Sequence, residues 1–152
     1  TLNLTHTGFE RCISGNAFKE MHAEICKSEN IESPALRQKL KHKNNLGCCY
    51  TLMENVFLPA SSVVIVGDSK DGTLIHELAH AVCNNKYGPF TGESHGPIFV
   101  RTYVDMLAKY LPAFKSMNVS SKTLIESASK TLRVASDDDL VNATYKMKKL
   151  RG

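Results

Sequence analysis

The stretch GTLIHELAHAVCNNKYGPFTGESHGPIF, residues 72–99, holds three of the six histidines in the chain. Apolar residues dominate positions 74–82, and the stop signals of NNKYGP follow at positions 84–89. Together they predict a helix over about residues 70–86. His76 and His80 are four residues apart, so on this helix they share one face. Imidazoles among apolar neighbours are costly unless a partner satisfies them. The pair therefore predicts a metal site.

Glu77 completes an HExxH pattern with these two histidines. It points about 100° away from them around the helix, which keeps its carboxylate off the metal but near the open coordination position. Zinc lowers the pKa of a bound water to about 7, and a carboxylate placed there can accept the proton. The pattern therefore indicates zinc-dependent hydrolysis, with His76 and His80 as ligands and Glu77 as general base.

A catalytic zinc site needs a third protein ligand. His95 follows in a Gly-rich loop immediately before another predicted helix, where the chain can fold back over the first helix. Glu93 is the competing candidate, because two histidines and a glutamate also form a known catalytic zinc set. We favour His95 and keep Glu93 as the alternative.

Helix and strand patterns flank this motif on both sides. GPIFVRTYVDMLAKYL begins with Pro97 in the first turn and repeats apolar residues along one stripe, which predicts a second buried helix. Upstream we expect a helix over about residues 15–28 and two or three short strands within GCCYTLMENVFLP and SSVVIVGD. Downstream we expect two more helices, the second opened by a capping box of Ser136 and Asp139.

The length of 152 residues suits one compact domain. The order of the elements predicts the α+β class, with a core at about residues 18–111 and a helical extension over residues 115–152. Five cysteines are an odd number and include no C-x-x-C pair, which favours free thiols in a reducing compartment. The apolar runs are too short for a membrane helix. We therefore expect a soluble intracellular protein of the cytoplasm, nucleoid or nucleus, with no membrane contact.

The segment ALRQKLKHKNN, residues 35–45, fits either a helix or a strand. A strand would place four cations on one face and a helix would scatter them; they are Arg37, Lys39, Lys41 and Lys43. On one face they could bind DNA or an acidic substrate. The plainer interpretation is a solvated charged edge that discourages strand aggregation.

HELAH, then fourteen residues, then His95 within SHGPIF resembles the SprT-like (Spartan) metallopeptidases, whose pattern is HExxH followed by HGxxF. The resemblance covers roughly residues 18–111. It implies a small zincin-like domain, zinc on His76, His80 and His95, Glu77 as general base, and endopeptidase activity at an exposed groove. Some members digest proteins crosslinked to DNA. The chain has no cysteine-rich zinc ribbon after this core, unlike many members.

Two other classes of protein compete with a peptidase. A zinc-stabilised structural or binding protein would keep the ligands without turnover; such sites usually close with four protein ligands, and Cys83 is the candidate for a fourth. A nucleic-acid-binding module would use the basic stretches, for which a net charge of +4 is weak support. For an oxyanion-stabilising residue the sequence offers Tyr50, Arg101 and Tyr103.

The basic stretch generates the first testable prediction. Replacing Arg37, Lys39, Lys41 and Lys43 together with Glu should reduce binding to DNA or to an acidic substrate, because like charges then face the ligand. The reduction should be larger at low salt, where screening is weakest. Fluorescence anisotropy with a labelled oligonucleotide at two salt concentrations measures this effect. Equal binding by wild type and variant at low salt would support the interpretation that this stretch is only a solvated charged edge.

Overall fold

The computed structural model describes residues 9–13, 15–32, 34–38, 47–52, 61–66, 70–88 and 95–150. Within these ranges the chain is a small, mostly helical domain with six helices and one small sheet. The elements, in chain order, are α1 (Gly15–Ser28), β1 (Ala35–Gln38), β2 (Gly47–Leu52), β3 (Ser61–Val66), α2 (Asp71–Tyr87), α3 (Pro97–Tyr110), α4 (Pro112–Ser116), α5 (Ser121–Ser129) and α6 (Asp137–Leu150).

Helix α2 lies at the centre of the core. It packs against α1 and α3 and also against β2 and β3. Apolar side chains from the three helices meet in one buried cluster, which includes Phe18 and Ile25 of α1, Leu74 and Leu78 of α2, and Tyr103 and Leu107 of α3. Full burial of an aliphatic or aromatic side chain contributes about 1.5–3 kcal/mol. Burial of this cluster therefore fixes the position of the helix that carries the HExxH pattern.

The three strands form one sheet in the order β1-β3-β2. β2 pairs with β3 antiparallel, with Cys49 opposite Val64, and β1 pairs with β3 parallel, with Leu36 opposite Val64. The strands expected in GCCYTL and SSVVIV are therefore confirmed. Arg37 lies in β1, so the first part of the basic stretch is a strand; Lys39, Lys41 and Lys43 lie outside the described residues.

The helix boundaries follow the sequence signals closely. α1 spans the expected residues, and Pro97 stands at the first position of α3. α2 begins at Asp71, one residue after the N-cap position at Lys70, whose side chain makes no cap hydrogen bond. At the other end of α2, Gly88 adopts a φ of 88°, which glycine tolerates without strain.

The C-terminal segment folds back onto α2 and α3. Arg101 of α3 donates to the carbonyl oxygen of Ala135 at 3.1 Å and forms an ion pair with Asp137 at 2.8 Å. The predicted capping box opens α6, because Ser136 and Asp139 exchange hydrogen bonds of 3.0 and 3.2 Å. Helix α6 packs against α2, and the helical extension expected from the sequence is therefore part of the same packed structure.

Glu29, just after α1, is a buried carboxylate that joins three helices. It accepts a hydrogen bond of 2.8 Å from the hydroxyl of Tyr110, and the ammonium groups of Lys86 and Lys109 lie 3.6 and 3.7 Å from its oxygens. Burial is the main cause that raises the pKa of Tyr110 to about 12, so its hydroxyl stays a donor at neutral pH. The carboxylate therefore holds the last turns of α2 and α3 against the end of α1.

Replacing Glu29 with Ala should lower the free energy of unfolding by about 1–3 kcal/mol, because the buried hydroxyl of Tyr110 loses its charged acceptor. The two lysines are nearly half exposed, so water can solvate them in the variant. Urea unfolding followed by circular dichroism measures the change. Replacing exposed Glu24, on α1 five residues before Glu29, is the matched control, expected within about 0.5 kcal/mol of wild type. Equal losses in both variants would contradict this role for Glu29.

Candidate metal centre

Three imidazoles converge between α2 and the start of α3. His76 and His80 project from one face of α2, and His95 stands two residues before α3. The Nε2 atom of His95 lies 3.2 Å from the Nε2 of His76 and 3.2 Å from the Nε2 of His80. The ligand atoms of all three residues lie within 4.8 Å of one another, so the group could hold a metal ion. The structure thus brings together the three predicted histidines.

The spacing of these nitrogens matches a tetrahedral metal site. Zinc binds imidazole nitrogen at about 2.0–2.1 Å, which places two ligands of a tetrahedron about 3.3–3.4 Å apart. The two 3.2 Å distances lie close to that value. Hydrogen bonds explain them less well, because the Nε2 of His95 carries either one proton or one lone pair and has to serve two partners at once. One shared cation satisfies all three nitrogens.

The aromatic rings of Phe99 and Tyr103 hold the imidazoles in place. The ring of Phe99 stacks on His80 with centroids 4.1 Å apart, and its centroid lies 5.0 Å from those of both His76 and His95. The edge of Tyr103 meets His76 with centroids 5.0 Å apart. Rings packed in this way cannot rotate freely. Because Phe99 and Tyr103 both belong to α3, the packing of this helix holds the three imidazoles in their present orientation.

His80 is a neutral imidazole across the physiological range. The pKa of His80 is lowered to about 3, mainly by burial and to a smaller extent by the nearby His76 and His95. A neutral ring keeps a lone pair for a cation and does not repel one. The interior around His80 therefore favours its role as a ligand.

Glu77 lies beside the three histidines without joining them. It is 5% exposed, and its Oε1 lies 3.9 Å from the Nε2 of His76. Among the described residues, the group of potential ligands contains the three histidines and not this carboxylate. This is the position expected from the helix geometry, with Glu77 turned away from the face that carries both ligands.

Other residues considered from the sequence lie elsewhere. The thiol of Cys83 points to the carbonyl oxygen of Ile98 at 3.8 Å, and burial raises the pKa of Cys83 to about 11. Cys83 is therefore not placed as a fourth ligand. Arg101 is engaged by the C-terminal segment, and Tyr103 is fully buried, so neither side chain is placed as the oxyanion-stabilising residue considered from the sequence. Glu93 lies outside the described residues, and Tyr50 lies in β2.

No helix in the described part of the chain is both long and apolar enough to cross a membrane. Comparisons of the chain with protein-family models, with curated proteins and with solved structures find no match. The chemical character of the site therefore has to be inferred from the positions of its own side chains. It is a three-histidine group with an adjacent buried carboxylate.

The sequence pattern did not identify every residue that builds this site. Phe99 and Tyr103 were expected on the buried stripe of α3, but their contacts with the imidazoles could not be read from that stripe. No expectation from the sequence concerned Glu10, whose side chain lies against Gly72 of α2. The available signal was a glycine one turn before His76, on the face that carries both ligands.

Replacing His95 with Ala should sharply reduce zinc binding, because two imidazoles then remain of the three. Metal analysis after dialysis should give one zinc per wild-type chain and much less per variant chain. The matched variant replaces Glu93, which should leave the zinc content unchanged. Zinc that survives the loss of His95 but disappears with Glu93 would assign the third ligand to Glu93 instead.

Proposed function

We propose that this protein is a zinc-dependent endopeptidase of the SprT-like type, with a zincin-like catalytic core. The observation that carries the proposal is the convergence of three imidazoles, with the Nε2 of His95 3.2 Å from the Nε2 atoms of both His76 and His80, and with the Glu77 carboxylate beside them. Three protein ligands leave one coordination position open, which is the arrangement of catalytic zinc sites. The order of HExxH helix, third ligand and following helix is that of the SprT-like pattern.

Each side chain has a distinct task in this proposal. His76, His80 and His95 hold the metal, and Phe99 keeps their rings in position. When bound, zinc supplies Lewis-acid chemistry, which polarises a carbonyl group and makes a water acidic near pH 7. Glu77 accepts the proton from the attacking water and can deliver it to the leaving amine. Its burial keeps the carboxylate in one place for both transfers.

The exposure of His95 supports a large substrate. His76 and His80 are partly covered, whereas His95 is exposed. A site that opens to the surface on one side can accept an extended polypeptide. We therefore propose flexible protein segments as the substrate class. Contact with DNA through Arg37, Lys39, Lys41 and Lys43 belongs to this proposal and would bring the enzyme to DNA-associated proteins.

A purely structural zinc site is less well supported. Structural zinc is almost always held by four protein ligands, and Cys83, the one candidate from the sequence, has its thiol directed at Ile98. Within the described residues, the ligand set therefore favours an open, catalytic site.

Replacing Glu77 with Gln should abolish most hydrolysis while zinc content and folding persist. The amide keeps the size of the side chain but cannot accept the proton, and positioned general acid–base groups contribute about 10²–10⁴-fold in rate. A paired assay measures cleavage of a fluorescent casein and zinc content for both proteins. Glu126→Gln, at an exposed position on α5, is the control that should cleave at the wild-type rate.

Three outcomes of this assay count against the proposal. Equal cleavage by the Gln variant and by wild type would assign the activity to another site or to a contaminant. A zinc-loaded wild type that cuts no substrate, with or without DNA, would favour the structural protein. Loss of both zinc and folding in the variant would show that Glu77 supports the structure rather than the chemistry.

A further inference from the structure

Gly72 continues the face of α2 that carries the metal ligands. Gly72, His76 and His80 are spaced four residues apart, so they follow one another along one side of the helix. A Cβ atom at Gly72 would collide with Cγ of Glu10 and lie 3.2 Å from both its Cδ and its Oε1. The side chain of Glu10 therefore occupies the ligand-bearing face, one turn before His76.

The N-terminal segment is held firmly enough to fix Glu10 there. The backbone N–H of Asp71 donates to the carbonyl oxygen of Arg11 at 3.0 Å, and the N–H of Arg11 donates to Oδ1 of Asp71 at 2.8 Å. Cys12 pairs with Lys70 in an isolated antiparallel bridge. These contacts anchor the two residues that follow Glu10 to the first turn of α2, so its carboxylate reaches α2 from a defined backbone position.

Tyr103 indicates where the Glu10 carboxylate lies relative to the metal centre. Its ring contacts His76, and its hydroxyl is buried without a hydrogen-bond partner among the described residues. Burial raises the pKa of Tyr103, and the negative charges of Glu10 and Glu77 raise it further. The carboxylate of Glu10, which the contact with Gly72 places one turn before His76, is therefore also near enough to Tyr103 for its charge to act on the phenol beside His76.

The ring of His76 is oriented toward this space. Helical side chains lean toward the helix N-terminus, so the imidazole covers the turn that contains Gly72. Its Nε2 faces His95, which leaves Nδ1 on the other side of the ring. Imidazoles that bind metal almost always donate their second N–H to a carboxylate, a carbonyl or a water. The carboxylate of Glu10, which lies against Gly72, is on the side of the His76 ring that carries Nδ1.

We propose that Glu10 accepts a hydrogen bond from Nδ1–H of His76 and thereby holds Nε2 toward the metal. Glu10 is in this sense a positioning residue, and the inference rests on the metal site of the proposed function. Gly72 is then required by the site, because a side chain at that position would displace Glu10 from His76.

Zinc affinity, measured by competition with a chromophoric chelator, tests the proposal. Glu10→Ala should bind zinc about 10–100-fold more weakly than wild type, as expected when the hydrogen-bond partner of a ligand is lost. Glu10→Gln should lose less, because its amide oxygen still accepts the bond. Glu24→Ala, which removes an exposed carboxylate, is the control with unchanged affinity. Thermal unfolding in chelator shows whether each metal-free variant is folded.

Gly72→Ala tests whether zinc affinity depends on the position of the Glu10 side chain. In the wild-type background the new methyl group displaces Glu10, so zinc affinity should fall by a similar factor. In the Glu10→Ala background the methyl group has room, and no further loss should follow. A merely structural role for either residue would instead give losses that add. Equal zinc affinity in wild type and Glu10→Ala, or the same loss from Gly72→Ala in both backgrounds, would overturn the proposal.

The metal-free protein separates this inference from the proposed function. In nitrogen-correlated NMR spectra, His76 should carry its proton on Nδ1 in wild type and lose this preference in Glu10→Ala. A wild-type protein that binds no zinc would refute the proposed function, while the tautomer shift would still support the contact with Glu10. An unchanged tautomer in Glu10→Ala would overturn the contact whatever the zinc affinity.

Discussion

The packing of α2 against α3 is the constraint on which the metal centre depends. Apolar side chains bury one side of α2 in the core, and this leaves the face with His76 and His80 directed at the start of α3. The same helix pair positions Phe99, whose ring touches all three imidazoles. His95 reaches them because it stands just ahead of Pro97, where α3 begins. Burial of the apolar side chains between α2 and α3 thus sets the distances between the three histidines.

Two buried carboxylates, Glu29 and Asp71, lie at the ends of helices. Glu29 accepts a hydrogen bond from the hydroxyl of Tyr110 and forms ion pairs with two lysines where α1, α2 and α3 come together. Asp71, fully buried at the start of α2, ties the first helical turn to the N-terminal segment. Burial is the first cause that raises its pKa. These contacts matter to the site because each limits the movement of the helix that presents the ligands.

The division between ligands and supporting residues has a chemical basis. A ligand must offer a lone pair at a defined place, so the spacing of His76 and His80 can be read from helix geometry alone. A supporting residue needs only to fill space or accept a bond beside the ligand, and many residue types at many positions can do this. Phe99 and Tyr103 looked like ordinary core residues for that reason. Glu10, sixty-six residues before His76, had no periodic signal that linked it to the site.

The sequence by itself determined the local features: the bounds of α1, the start of α3, the capping box of α6, and the shared helix face of the two HExxH histidines with the carboxylate turned away from it. Hydrogen bonding and periodicity within one element set these features, and both act over a few residues. Only the tertiary structure decided that His95 joins the pair, that Cys83 and Arg101 face other partners, and that Glu10 lies against Gly72. Those outcomes depend on how separate elements pack, because contacts between distant residues arise only when the whole core is buried.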